Sequence, residues 1–100
     1  MIKADNQGNL YIFSDNSGYF VIKDLPKTVG KLTVVFYGEE TIQKDFDVDG
    51  SSDVMVKLSK QDIESIGIGK HLYEVNLVSG EDVDTLAYNT ITVMEKEERW

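Results

Sequence analysis

The sequence predicts an all-β sandwich of about seven short strands with one short helix at residues 60–66, between the fifth and sixth strands. Two observations carry that expectation. Runs of β-preferring residues with a period of two recur along the chain, parted by turn residues at regular spacing. That rhythm breaks once, between Ser59 and Leu77, where a short helical pattern ends at a glycine and the period of two returns.

The first nine residues are polar after Ile2 and are interrupted by Gly8. Leu10-Tyr11-Ile12-Phe13 is the first strand. Ser14-Asp15-Asn16-Ser17-Gly18 is a turn, because Asp and Asn bond nearby backbone and Gly supplies a positive φ. Residues 19–23 form the second strand, and the two are expected to pair as a hairpin. Asp24, Leu25, Pro26 and Lys27 close it, with the only proline where a missing N–H costs least. Residues 31–37 form the third strand. It is apolar on both faces, with Leu32, Val34 and Phe36 on one and Val35 and Tyr37 on the other. Such a strand is central, or another chain covers one of its faces. Gly38, Glu39 and Glu40 turn the chain into a fourth strand at 41–48, where Ile42, Phe46 and Val48 share a face with Lys44. After a turn from Asp49 to Ser52, Val54, Val56 and Leu58 alternate with Met55 and Lys57 in the fifth.

Ser59 is the expected N-cap of the helix, and Asp62, three residues on, completes a capping box and favours the positive end of the dipole. Ile63 and Ile66 fall on one face. Gly67 suits a left-handed C′ position, with Ile68 then touching Ile63 in a Schellman closure. In the sixth strand His71, Tyr73, Val75 and Leu77 share a face. Ser79-Gly80-Glu81-Asp82 is a turn. The seventh strand spans 84–94, interrupted near 87–89, with Ile91 and Val93 facing one way and Thr90 and Thr92 the other. The helix is expected to carry the chain from one sheet to the other. In immunoglobulin-like sandwiches a tyrosine early in the sixth strand bonds back to the upstream corner, a bond worth ~1 kcal/mol net, and Tyr73 is the candidate. Residues 1–94 read as a single immunoglobulin-like domain, and 95–100 as a charged tail that includes Trp100.

The 100 residues suffice for one core without staples. With no cysteine there is no disulfide, thiol nucleophile or thiolate metal site, and the usual pair of antibody-domain cysteines is missing. No apolar run approaches the ~18 residues of a membrane helix, and the first residues lack the apolar core of a signal peptide. The net charge of −8 argues against nucleic-acid phosphates and anionic membranes as partners. It leaves a basic protein as the natural charged partner, beside the plainer reading of a solvated acidic surface.

The sharpest local motif is Asp45-Phe-Asp47-Val-Asp49-Gly50-Ser-Ser-Asp53. It matches the first half of a calcium loop, because close carboxylates suit a hard cation. Position 12 is Val56, where a bidentate Glu is needed, so an acidic exposed strand with an Asp-Gly turn is the expectation. No metal or other cofactor is expected. His71, the single histidine, cannot build a zinc site alone, and no nucleophile is marked for it to activate. No serine stands in a Gly-x-Ser-x-Gly setting and no glycine loop cradles a phosphate, so no catalytic residue is assigned. Tyr11, Tyr37, Tyr88 and Trp100 are the aromatics that could anchor an interface, Tyr37 and Trp100 first.

The Asp-Gly turn, the strand ending Val56-Lys57-Leu58-Ser59, the helical turn, the run Gly69-Lys70-His71-Leu72-Tyr73 and the strand Asn89-Thr90-Ile91-Thr92-Val93 together resemble a known pattern. It is that of the immunoglobulin-like domains of tailed-phage virion proteins, such as the N-terminal domain of the baseplate upper protein family. The likeness covers residues 30 to 94. The family's Gly-Lys-Tyr-x-Tyr has His71 in place of its first tyrosine here, and such proteins usually continue into further domains. The resemblance implies a structural or adaptor component of a virion, in the capsid decoration, tail or baseplate. Its partners would be other virion proteins or copies of itself, in a homo-oligomer such as a trimer. No family binding residue carries over. Two other expectations stay open: a carbohydrate- or host-surface-binding module, stabilised by calcium, and a small acidic inhibitor of a basic nucleic-acid-binding host protein.

Overall fold

Eight strands and one helix follow one another in a computed structural model that describes residues 2–23, 25–49 and 53–95. The order is β1 (Lys3–Ala4), β2 (Leu10–Phe13), β3 (Gly18–Ile22), β4 (Val29–Tyr37), β5 (Thr41–Asp49), β6 (Val54–Leu58), α1 (Lys60–Ile66), β7 (Gly69–Ser79) and β8 (Asp82–Met94). The all-β sandwich with a single short helix is the architecture that the sequence predicts. The two layers are unequal. A six-stranded sheet runs β1-β2-β8-β7-β4-β5, and a two-stranded sheet holds only β3 and β6. Every pairing is antiparallel except β2 with β8.

Alternation builds the core. Leu32, Val34 and Phe36 of β4, Tyr73, Val75 and Leu77 of β7, and Ile91 and Val93 of β8 point inward from the large sheet. Val54, Val56 and Leu58 meet them from the small sheet, with Ile63 and Ile66 of α1 closing one end. Phe20, Phe36 and Tyr73 form an aromatic cluster, with Phe36 and Tyr73 stacked at 5.7 Å and Phe20 edge-on to both at 6.3 and 6.1 Å. β4 lies between β5 and β7, and of its outward apolar residues Val35 is buried while Tyr37 is exposed.

The expected hairpin between the first two strands does not form. β2 pairs with β8 in parallel, Leu10 beside Ile91 and Ile12 beside Val93, and β3 pairs with β6. Burial explains the difference. Leu10 and Ile12 extend the inner face of the large sheet, while Phe20 and Ile22 face the core from the opposite layer. A hairpin would put both pairs in one sheet and strip the other layer. The two-residue β1 is also additional to the expected strands. It pairs with β2 because the Asp5 carboxylate accepts from the backbone N–H of Gln7 and Asn9, both at 2.9 Å, and so folds the chain back. The irregularity expected at 87–89 falls slightly earlier, opposite the step from Val75 to Asn76, where Leu86 is left without a register partner.

The helix is capped as expected. Ser59 Oγ accepts from the Asp62 N–H at 3.0 Å, and the Asp62 carboxylate accepts from the Ser59 N–H at 2.9 Å. α1 leads from the small sheet to the large one. Its far end departs from expectation. Gly67 has φ 87 but ψ 159, so the chain leaves extended, without a left-handed Schellman closure, and Ile68 is half exposed. The carbonyls of Ile66 and Ser65 are instead satisfied by the N–H groups of Glu39 and Glu40, at 2.9 Å each. This brings Gly38 so near that a Cβ there would lie 2.4 Å from the Ile66 carbonyl oxygen.

Candidate functional site

Inward packing decides what the outer face of the large sheet displays. Because Phe36, Tyr73 and Asn89 stand in register, their neighbours Tyr37, Leu72 and Thr90 form the next row, on the solvent side. Val35, Glu74 and Tyr88 form the adjoining row. Three strands therefore each contribute a large exposed side chain: Tyr37 at 43%, Leu72 at 42% and Tyr88 at 58% exposure. Val35 lies among them at 8%. The Tyr37 hydroxyl donates to the Glu74 carboxylate, and that bond, with some desolvation and the carboxylate's charge, holds the phenol above its ordinary range. The patch pairs an apolar floor with polar aromatic tips, the composition of an interface centre. Tyr37 and Tyr88 were legible in the sequence. Leu72 and Glu74 were not, although the alternation of the sixth strand puts them opposite the buried Tyr73 and Val75.

A second concavity opens between the layers, an apolar cleft of about 380 Å³. Phe20 to Lys23 form one wall, and Leu10, Tyr73, Val75 and Ala87 the floor. Tyr73 does bond back upstream, but not to the corner before its own strand. Its hydroxyl donates to the Gly8 carbonyl at 2.5 Å, in the turn between β1 and β2. The reason is placement: the phenol points along the inner face toward the N-terminal turn, which β1 holds over the end of the core. Burial pushes its pKa up, partly offset by the Asn89 side chain.

The first half of the acidic motif, Asp45 to Asp49, is strand. Asp45, Asp47 and Asp49 lie exposed on the outer face of β5, and Asp53 precedes β6. Among the described residues no three acids or histidines converge to hold a metal ion, and Gly50 to Ser52 lie outside the described residues. Lys44 points to the other face of β5 and meets Asp62 of α1 at 2.9 Å. Partial burial acts to raise the Asp62 carboxyl. The Lys44 ammonium and the Ser59 groups outweigh it and hold the carboxyl below its usual range.

Two of the remaining candidates bond to nearby groups of the fold. His71 turns its Nε2 to the Gly67 carbonyl at 3.0 Å, at the helix exit. Tyr11 donates to Asp5 at 3.3 Å. The backbone N–H of Asn9 is the main cause that lowers the Asp5 carboxyl, against a smaller desolvation effect. Trp100 lies outside the described residues. Among the described residues no helix is long and apolar enough to cross a membrane.

Neither a family model, nor a curated protein, nor a solved structure matches the chain in comparison.

Proposed function

We propose that the chain is a non-enzymatic structural or adaptor module of a phage particle, acting through protein–protein contacts. The exposed patch of Tyr37, Leu72 and Tyr88 carries this reading. Three neighbouring strands present large side chains to solvent at one place, where an isolated domain would gain by polar ones. Aromatic residues supply contact area at low conformational cost, so the patch suits a permanent interface. The phage setting rests on the resemblance of residues 30–94 to virion immunoglobulin-like domains. The favoured partner is a further copy of the chain in a symmetric homo-oligomer, the three-fold ring being the arrangement that the resemblance implies.

Light scattering across a concentration series tests the reading. A discrete oligomer is expected, and Leu72→Glu or Tyr88→Glu should convert it to a folded monomer, because each places an unpaired charge at the contact centre. An oligomer indifferent to both substitutions refutes the assigned surface. A chain that is monomeric at every concentration refutes self-assembly.

A further inference from the structure

We propose that the cleft beside β3 takes an extended peptide segment of a partner protein as an added strand of the small sheet, with apolar side chains at alternate positions and one acidic residue beside Lys23. The inference deepens the protein–protein reading above and rests on it. The small sheet is the observation that starts it. β3 pairs with β6 along one side, and no described strand pairs along its other side. The cleft of about 380 Å³ follows that second side. Four consecutive residues of β3 and its end, Phe20 to Lys23, form its wall, while no residue of β6 does. Phe20 and Ile22 point inward yet are only partly buried, because no strand lies beside them.

An extended segment laid there would sit about 4.8 Å from β3 and exchange backbone hydrogen bonds with it. Every second side chain would then hang over Tyr73, Val75 and Ala87. A small apolar molecule would fill the cleft but leave the strand edge unused, so the two features together fit a peptide better. The edges differ in how they resist pairing. β5 carries exposed Asp45 and Asp47 and the inward Lys44, and β6 carries Lys57. β3 shows Tyr19 and Val21 outward and no charge before Lys23. Lys23 is also the one charged residue among the described residues that line the cleft, which selects an acid opposite it. The net charge of −8 disfavours a strongly acidic partner, so a mostly apolar strand with a single acid fits.

The test is fluorescence anisotropy of a labelled heptapeptide, acetyl-Thr-Val-Glu-Val-Thr-Val-Thr-amide, titrated with the full chain. Saturable binding below millimolar concentration is expected. Replacing the middle valine by proline removes a strand N–H and should weaken binding about tenfold. Lys23→Glu should weaken it, and a peptide with lysine for its glutamate should restore binding to that variant. Ala87→Trp fills the cleft floor and should abolish binding; Lys23→Glu, on an exposed side chain, keeps the test valid where the larger change disturbs folding. Absence of saturable binding overturns the proposal. Equal affinity for the proline peptide also overturns it, since only apolar filling would then be at work. A charge swap without effect overturns the acidic preference. A chain that oligomerises through the outer face but ignores the peptide refutes this inference alone. One that binds the peptide yet stays monomeric refutes self-assembly alone.

Discussion

Replacing Tyr73 by phenylalanine removes one oxygen and leaves the ring. The ring's stacking on Phe36 and its edge contact with Phe20 persist, so the change isolates the bond from the hydroxyl to the Gly8 carbonyl. A neutral hydrogen bond contributes about 0.5–1.5 kcal/mol net. Gly8 is half-buried, so its carbonyl regains water only in part, and the expected loss is about 1–2 kcal/mol. For a domain of this size each kcal/mol lowers the melting temperature by about 4–8 °C. Urea unfolding followed by circular dichroism should show an earlier midpoint with an unchanged slope. Amide exchange at residues 5–9 should rise more than elsewhere, because the bond ties that turn to the core. The raised pKa of Tyr73 adds a pH test. A phenol whose folded pKa lies above its unfolded value contributes stability that is whole below about pH 10 and is lost as pH rises through the folded pKa. Wild type and Tyr73→Phe should therefore converge in strong alkali. A substitution that shifts neither the midpoint nor the exchange of residues 5–9 would refute the reasoning.

Three further outcomes are expected. Gly38→Ala should cost about 1–3 kcal/mol by thermal unfolding, because its methyl would meet the backbone of Ile66 and not a movable side chain. Asp62→Ala removes half the capping box and the partner of Lys44, and should cost about 1–2 kcal/mol at neutral pH. The lowered pKa of Asp62 places its contribution above the unfolded value of 3.8, with loss as pH falls through the folded value, so wild type and variant should converge in acid. Calcium should leave the melting temperature unchanged, because Asp45, Asp47 and Asp49 are spread along a strand; a clear rise would restore them as ligands.

What the sequence made legible was local. The alternation of Val54, Val56 and Leu58 identified β6, and Ser59 with Asp62 identified the helix start, since each depends on neighbours a few residues away. Partners across the fold were not legible. Leu10-Tyr11-Ile12-Phe13 reads equally well beside β3 or β8, and only the demand for two opposed layers decides. Strand position alone makes Tyr73 the candidate for a hydroxyl bond, yet its acceptor belongs to a turn 65 residues earlier. Lys44 looked like a charge on an apolar face, and its answer lies on the helix. The patch was half legible: Tyr37 and Tyr88 stood out by type, while Leu72 and Glu74 become surface only once the register assigns their neighbours inward.

The parallel pairing of β2 with β8 has a consequence for how the chain is made. Asn9 and Thr90, 81 residues apart, are tied by side-chain bonds of 3.1 and 3.2 Å beside that pairing. A ribosome delivers β2 about 80 residues before β8, so β2 waits without its mate while every strand between them is made. The hairpins β4–β5 and β7–β8 can close locally, but the large sheet stays open until residues 91–94 emerge. Until then Leu10 and Ile12 are apolar surface in need of shelter. Nascent chains stalled before β8 should be the aggregation-prone and protease-sensitive species of this protein, and the emergence of β8 the step that protects it.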